Sequence, residues 1–238
     1  MLAKIQPRHH ELLDIAAVIA TLIAINLTAH FTPLSAAAAT VPVGVAMLLG
    51  YAKLRGMTWQ DLGLSRGDAR SGLRWGLGMA GVAAVVVAIA LALPATRGFF
   101  FNESYASLRH AAIAALIIIP AQTVLPEELA FRGILHGSLL RLGGTKLVFV
   151  AGSVLFGLWH IASSLHLTAT NAGLTAFLGS GSFAQWAGVG LAVMATTAAG
   201  AGLTWLRHHT GSVLAPIGLH WALNAVGAVA AAIAWQIL

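Results

Sequence analysis

WGLGMAGVAAVVVAIALAL, residues 75–93, contains no charged side chain. As a helix this run would be about 28 Å long, close to the ~30 Å hydrocarbon core of a bilayer. Ala184 to Leu206 is a second uncharged run of similar length. The whole chain has the same character: of its 238 residues, 58% are hydrophobic and 8% charged. A soluble domain carries about 25% charged residues, so too few are present to cover a water-facing surface. Alternating polar positions are missing, which argues against a membrane β-barrel. The fold class is therefore all-α: a polytopic transmembrane helical bundle forming one membrane-embedded domain over residues 1–238.

About seven spans are expected, at 12–31, 34–51, 73–93, 109–125, 147–165, 184–206 and 212–236. The loop 52–72 holds Trp59 and Leu62 and is expected to include a short interfacial helix. The segment 126–146 reads as amphipathic, and the Gly-, Ser- and Thr-rich 166–183 as a loop or re-entrant piece. The run after basic Lys4 and Arg8 is long, contains Asn26 and lacks a suitable cleavage site, so it reads as a permanent span rather than a signal peptide. Gly188, Gly190, Gly200 and Gly202 suit close helix packing.

The formal net charge is +6. In a soluble protein this would suggest nucleic acid, but here the basic residues flank spans and no nucleic-acid partner is expected. With the N-terminus inside, Lys4, Arg8, Lys53, Arg55, Arg66, Arg70, Arg74, Arg132, Arg141, Lys146 and Arg207 fall inside. Only Arg97 and Arg109 fall outside, the asymmetry of an N-in protein. The chain has no cysteine, which excludes thiolate nucleophiles, thiolate metal sites and disulfides.

Seven carboxylates are present, and five lie in loops or at span ends. Glu127 and Glu128 instead follow an apolar run broken by Pro120 and Pro126, and an ionisable group at membrane depth points to function. Neighbouring helical residues point about 100° apart, so the two glutamates have different surroundings. Glu128 is four before Arg132, the favoured ion-pair spacing, and Glu127 is free to face a cavity. The plainer reading of the pair is a solvated helix N-terminus. His160 lies four after Phe156, and His220 four before Asn224, each pair on one helix face. Glu127 is near the inner end of its span, His220 about 12 Å from the inner end of its own, and His160 some thirteen residues in. They are expected to meet in a cavity open to the cytoplasm. His136 is a candidate supporting residue, and Trp159 and Trp221 candidate cavity walls.

In this order and in separate spans, Glu127-Glu128-Leu-Ala-Phe-Arg132 (EExxxR), Phe156-Gly-Leu-Trp-His160 (FxxxH) and His220-Trp-Ala-Leu-Asn224 (HxxxN) resemble the CPBP family. That family comprises the type II CAAX prenyl proteases and the bacterial Abi proteins. The resemblance covers roughly 110–230. It implies an intramembrane endopeptidase acting on a hydrophobic or membrane-anchored peptide within membrane lipid. Glu127 would be the general base, holding and activating a water with His160, while His220 and Asn224 would stabilise the oxyanion. Glu128, Arg132 and Phe156 would support the site. No obligatory cofactor is expected because HExxH spacing is absent. A divalent metal such as zinc stays open as an alternative, with Glu127, His160 and His220 as its ligands.

His10-Glu11-Leu-Leu-Asp14 lacks the second histidine of HExxH. Gly179-Ser180-Gly181 lacks the first glycine of a GxSG turn, and no pair of aspartates lies within spans. Two readings from other classes remain: a non-catalytic scaffold or bacteriocin-immunity-type protein on the same fold, and a proton-coupled transporter. The short, Ala- and Gly-rich chain suggests a bacterial cytoplasmic membrane, where prenylated substrates are not expected.

Overall fold

The computed structural model describes residues 5–237, and the side chains of all of these except 5–8 and 34–38. Lys4 and the side chain of Arg8, counted above among the inside charges, lie outside the described residues. Seven helical rods carry the fold: α1 (Ile5–Phe31), α2 (Leu34–Leu54), α3 (Arg66–Ala92), α4 (108–143), α5 (145–159), α6 (Ser182–Thr210) and α7 (Leu214–Ile237). Among the described residues the only β-type pairing is an isolated bridge between Asn102 and Asn171. By length and composition, five helical stretches suit a membrane crossing: His9–Phe31, Arg66–Ala92, Leu108–Trp159, Ser182–Thr210 and Leu214–Ile237. Ala39–Leu54 is apolar but shorter.

The stretch from Leu108 to Trp159 is not straight. Gly144 has φ 72° and ψ −168°, a backbone state that favours glycine because it has no Cβ. Across it the chain folds back. A Cβ on Gly152 would lie 3.8 Å from Leu139 Cδ1, whereas thirteen residues of straight helix span about 20 Å. α4 and α5 are thus an antiparallel hairpin.

The rods have two ends. The start of α1, residues 54–66, the Gly144 hairpin and residues 210–214 lie at one, hereafter the basic end. Residues 31–34, 92–108 and 159–182 lie at the other, the far end. At the basic end Arg55 pairs with Asp14 at 2.8 Å, and Arg141 with Asp61 at 2.7 Å.

Several expectations are corrected. Residues 55–65 form turns, not a short interfacial helix. Thr58 and Asp61 close one turn, with the Thr58 N–H donating to the Asp61 carboxylate at 2.8 Å. The segment 126–146 continues α4 to 143 and turns at Gly144; its amphipathic character is confined to the part from His136 on, whereas nearly every side chain from 126 to 139 is buried. From 126 to 139 it is walled by protein, so no polar stripe is needed there. The helix expected to reach 165 stops at Trp159, and 166–183 folds largely into short helices, Leu167–Thr170 and Ala172–Leu178. Arg132 and Arg207 are 2% and 6% exposed, so they are interior residues and not flank charges.

The main apolar core packs α1 and α2 against α4, α5 and α6 through Val18, Leu48, Ile134, Leu135, Phe156 and Leu203. Outward side chains such as Leu77, Val85 and Ile89 of α3 are more than half exposed, as a lipid-facing surface requires. α3 and α7 run side by side with no room between them. A Cβ on Gly218 would lie 2.7 Å from Gly76 Cα, and one on Gly76 would lie 2.8 Å from the Leu214 carbonyl oxygen. Of the four glycines singled out from sequence, Gly188 and Gly200 do pack closely, whereas Gly190 and Gly202 have nothing within 4 Å.

Gly218→Val should force α3 and α7 apart and lower the thermal midpoint in detergent, by a cost of about 1–3 kcal/mol. Gly78→Val, at a position with nothing within 4 Å, should leave it near wild type; equal losses would contradict the backbone crossing. Burial raises the Asp61 pKa, but the Thr58 N–H and hydroxyl and the Arg141 guanidinium outweigh it and hold the carboxyl below its usual range. A folded value below the unfolded one means the stabilisation is complete above the unfolded value, about 3.9, and is lost as pH falls through the folded value. The midpoint gap between wild type and Asp61→Asn should therefore be constant from pH 7 to about 5 and close below about pH 4. A gap that persists to the acid limit would contradict this assignment.

Candidate active site

The middle of α4 is wound unusually widely. Ala114–Val124 and Leu129–Leu135 are π-helical, and the Leu125 N–H reaches back five residues to the Pro120 carbonyl. Prolines 120 and 126 have no N–H to donate, and π-turns, rare in general and found mostly as bulges inside α-helices, carry the helix through this stretch. Between the two stretches lies Leu125–Glu128, with Glu127 and Glu128 both buried. The helix does not end here, so Glu127 sits mid-rod, not near a span end as expected from the sequence.

Glu128 is fully buried. Its Oε1 accepts from Arg132 Nη1 at 2.9 Å and from His220 Nδ1 at 2.7 Å. Arg132 also donates to the Gly200 carbonyl at 3.4 Å, and its guanidinium lies 3.9 Å from the centre of the Phe156 ring. Phe156 meets the rings of His160 and His220 edge-on, at 4.7 Å and 5.9 Å. One aromatic ring thus spaces the cation from both imidazoles. Close approach of α6 makes room for this: a Cβ on Gly200 would lie 3.1 Å from Phe156 Cδ1 and 3.3 Å from Ser153 Cα.

Glu127 faces the opposite way. Its Oε1 accepts from the Trp159 indole N–H at 3.0 Å. Its Oε2 is buried without a hydrogen-bond partner, 4.0 Å from His160 Nε2 and 3.9 Å from His220 Nε2. His160 Nδ1 lies 2.8 Å from the Phe156 carbonyl oxygen, which only accepts, so Nδ1 carries the proton and Nε2 is turned to Glu127. His160 stands where α5 ends, with φ −85° and ψ 0°, and not mid-span.

Glu127, His160 and Asn224 line a cavity of ≈ 680 Å³. Asn224 is half-buried, one turn of α7 above His220. His220 is 6% exposed and is not on the cavity wall. Trp159 lines the cavity as expected; Trp221 instead donates to the Ala115 carbonyl at 2.9 Å. His136 is buried with Nδ1 unpartnered, and no hydrogen bond among the described residues ties it to either glutamate.

Two contacts, though not the residues that make them, escaped the sequence reading. Trp159 is a direct partner of Glu127, and Asn26 of α1 donates to the Trp159 carbonyl at 3.0 Å. The signal for Asn26 was its position as a lone amide in an apolar run. A hydrogen bond from the Trp159 ring is not visible from spacing.

Tetrahedral zinc with bonds of about 2.0–2.1 Å places its donors roughly 3.3 Å apart. The separations here are 3.9–4.0 Å. Among the described residues no group of three His, Cys, Asp or Glu side chains is arranged to hold a metal ion. The residues as placed do not fit the ion, whereas the same gap suits a water held at about 2.8 Å from each acceptor.

A family model described as type II CAAX prenyl endopeptidase, Rce1-like, matches residues 108–226. No curated protein matches the chain, and no solved structure does. The family match covers half of the 238 residues and takes in every side chain of the three motifs, from Glu127 to Asn224: the chain belongs to the Rce1-like type II CAAX prenyl endopeptidase family.

Proposed function

We propose that the protein is an intramembrane endopeptidase that hydrolyses a peptide bond in a hydrophobic or membrane-anchored substrate, using a water activated by Glu127 and His160. One observation carries this reading: a buried, unpartnered carboxylate oxygen faces two imidazole nitrogens across a water-sized gap beside a large cavity. A water there donates one proton to Glu127 Oε2 and the other to His160 Nε2, leaving a lone pair for the substrate carbonyl. Glu127 takes the proton as the carbon–oxygen bond forms, then delivers it to the departing amine. The oxyanion is stabilised by the Asn224 amide N–H and by His220. His220 gives its Nδ1–H to Glu128, so Nε2 donates only when the ring is an imidazolium. Glu128, Arg132 and Phe156 hold His220 in place, and Trp159 fixes the rotation of Glu127. The bacterial cytoplasmic membrane is the proposed location, with substrates that need not be prenylated.

In membranes of cells expressing wild type or Glu127→Gln at matched levels, mass spectrometry of protein termini should find new termini only with wild type. Indistinguishable sets would refute the peptidase reading. A metal chelator should leave these termini in place; their loss would move water activation to a bound ion. Trp159→Phe removes the indole donor to Glu127 but keeps an aromatic wall. With a hydrogen bond to a charged group worth about 1.5–3 kcal/mol, cleavage should slow by one to two orders of magnitude while the protein stays folded; an unchanged rate would contradict the positioning role.

A further inference from the structure

The cavity lies towards the far end of the bundle. Its wall includes His30 near the end of α1, Phe99, Asn102 and Tyr105 from the connection between α3 and α4, and Ser163 and Asn171 from the segment after α5. Those last two segments meet directly: the Asn171 amide donates to the Phe99 carbonyl at 2.9 Å, and Asn102 and Asn171 pair as the isolated bridge. They frame the mouth. Ser163 and His30 are exposed to solvent there.

The basic end is sealed beneath the same site. Residues 55–65 fold under it, with Leu62 fully buried. Arg207 of α6 pins them, donating to the carbonyls of Gln60 and Asp61 at 3.2 Å and 3.0 Å and to that of Arg132 at 3.1 Å. The Val213 N–H closes the seam onto the Gly63 carbonyl at 3.0 Å. Ile134, Leu135 and Val213 are also fully buried. The cavity that holds Glu127 has none of these plug residues in its wall.

The two ends differ in charge as well as in openness. Lys53, Arg55, Arg66, Arg70, Arg74, Arg141 and Lys146 cluster at the sealed end, and Arg97 and Arg109 at the open one. Short flanks rich in Lys and Arg stay on the cytoplasmic side. We infer that the site opens on the side of the membrane opposite the cytoplasm, and that its substrate class is a membrane-anchored peptide whose scissile bond is presented from that side. This overturns the cytoplasm-facing cavity expected from sequence depth. That estimate ended the fourth span at 125 and carried the fifth to 165, whereas α4 runs on to 143 and α5 ends at Trp159. A peptide anchored at the cytoplasmic leaflet meets the plug, not the mouth. The substrate class rests on the peptidase reading; the direction of opening does not.

The absence of cysteine makes the test direct. Ser163→Cys at the mouth and Thr145→Cys at the Gly144 hairpin are introduced singly into the full chain. Bacterial spheroplasts are treated with a membrane-impermeant maleimide before or after permeabilisation. Ser163→Cys should label in intact spheroplasts and Thr145→Cys only after permeabilisation. The reverse pattern would overturn the direction of opening whatever the protein cleaves. Mapping the Glu127-dependent termini onto their parent proteins then tests the substrate class. Cleavages on the extracytoplasmic side of membrane anchors support it, and cleavages on the cytoplasmic side sink it while leaving the peptidase reading intact.

Discussion

Everything at the centre of this protein depends on one carboxylate. Glu128 has no contact with solvent, and a single oxygen of it accepts from both Arg132 and His220. An isolated charge in such a place is prohibitive, and removing one partner from a buried pair costs about 3–5 kcal/mol, so these residues stand or fall together. Because Arg132 shares α4 with Glu128 while His220 comes from α7, the same contact that neutralises the charge also sets how the two helices face each other. Phe156 fills the angle between the guanidinium and the two imidazoles. The geometry around Glu127 is therefore a by-product of an internal charge balance held one residue away.

The division of labour between adjacent glutamates follows from helical rotation. One points into the bundle, where its Oε1 takes both donors; the other points to the cavity with its Oε2 facing two imidazoles, and each leaves one buried oxygen without a hydrogen bond. The wide turns of α4 around Pro120 and Pro126 let the helix continue past both residues, which places Glu127 mid-rod with a cavity on one side and a packed plug on the other. α7 reaches the site because Gly76 and Gly218 permit contact of backbones, and α5 because it ends at His160. Site geometry and helix packing thus share the same few small residues and breaks.

The sequence made the class of fold legible because uncharged runs such as 75–93 have no other stable home. It made the site legible because charged and titratable residues at membrane depth are scarce, so Glu127, His160 and His220 stood out from an apolar background. The family resemblance supplied the roles proposed for them. What was not legible was depth and direction. Pro120 and Pro126 suggested that the helix ends, but π-turns carry it on. The span expected over 147–165 carried α5 past His160, but it ends at Trp159. Arg132 and Arg207 counted as flank charges by position alone, although both turn inward to carbonyls and a carboxylate. Trp159 and Asn26 entered the site through a ring N–H and a side-chain amide, contacts that spacing along one helix does not encode.

The central claim is that the chain itself hydrolyses peptide bonds with a single activated water. Its most direct test is to purify the full chain, reconstitute it with membrane proteins in heavy-oxygen water and follow new C-termini by mass spectrometry. The account predicts one heavy-oxygen atom in each newly formed carboxylate, with none when Glu127→Gln replaces the wild type. New C-termini without the label, or labelled termini formed equally by the variant, would contradict it.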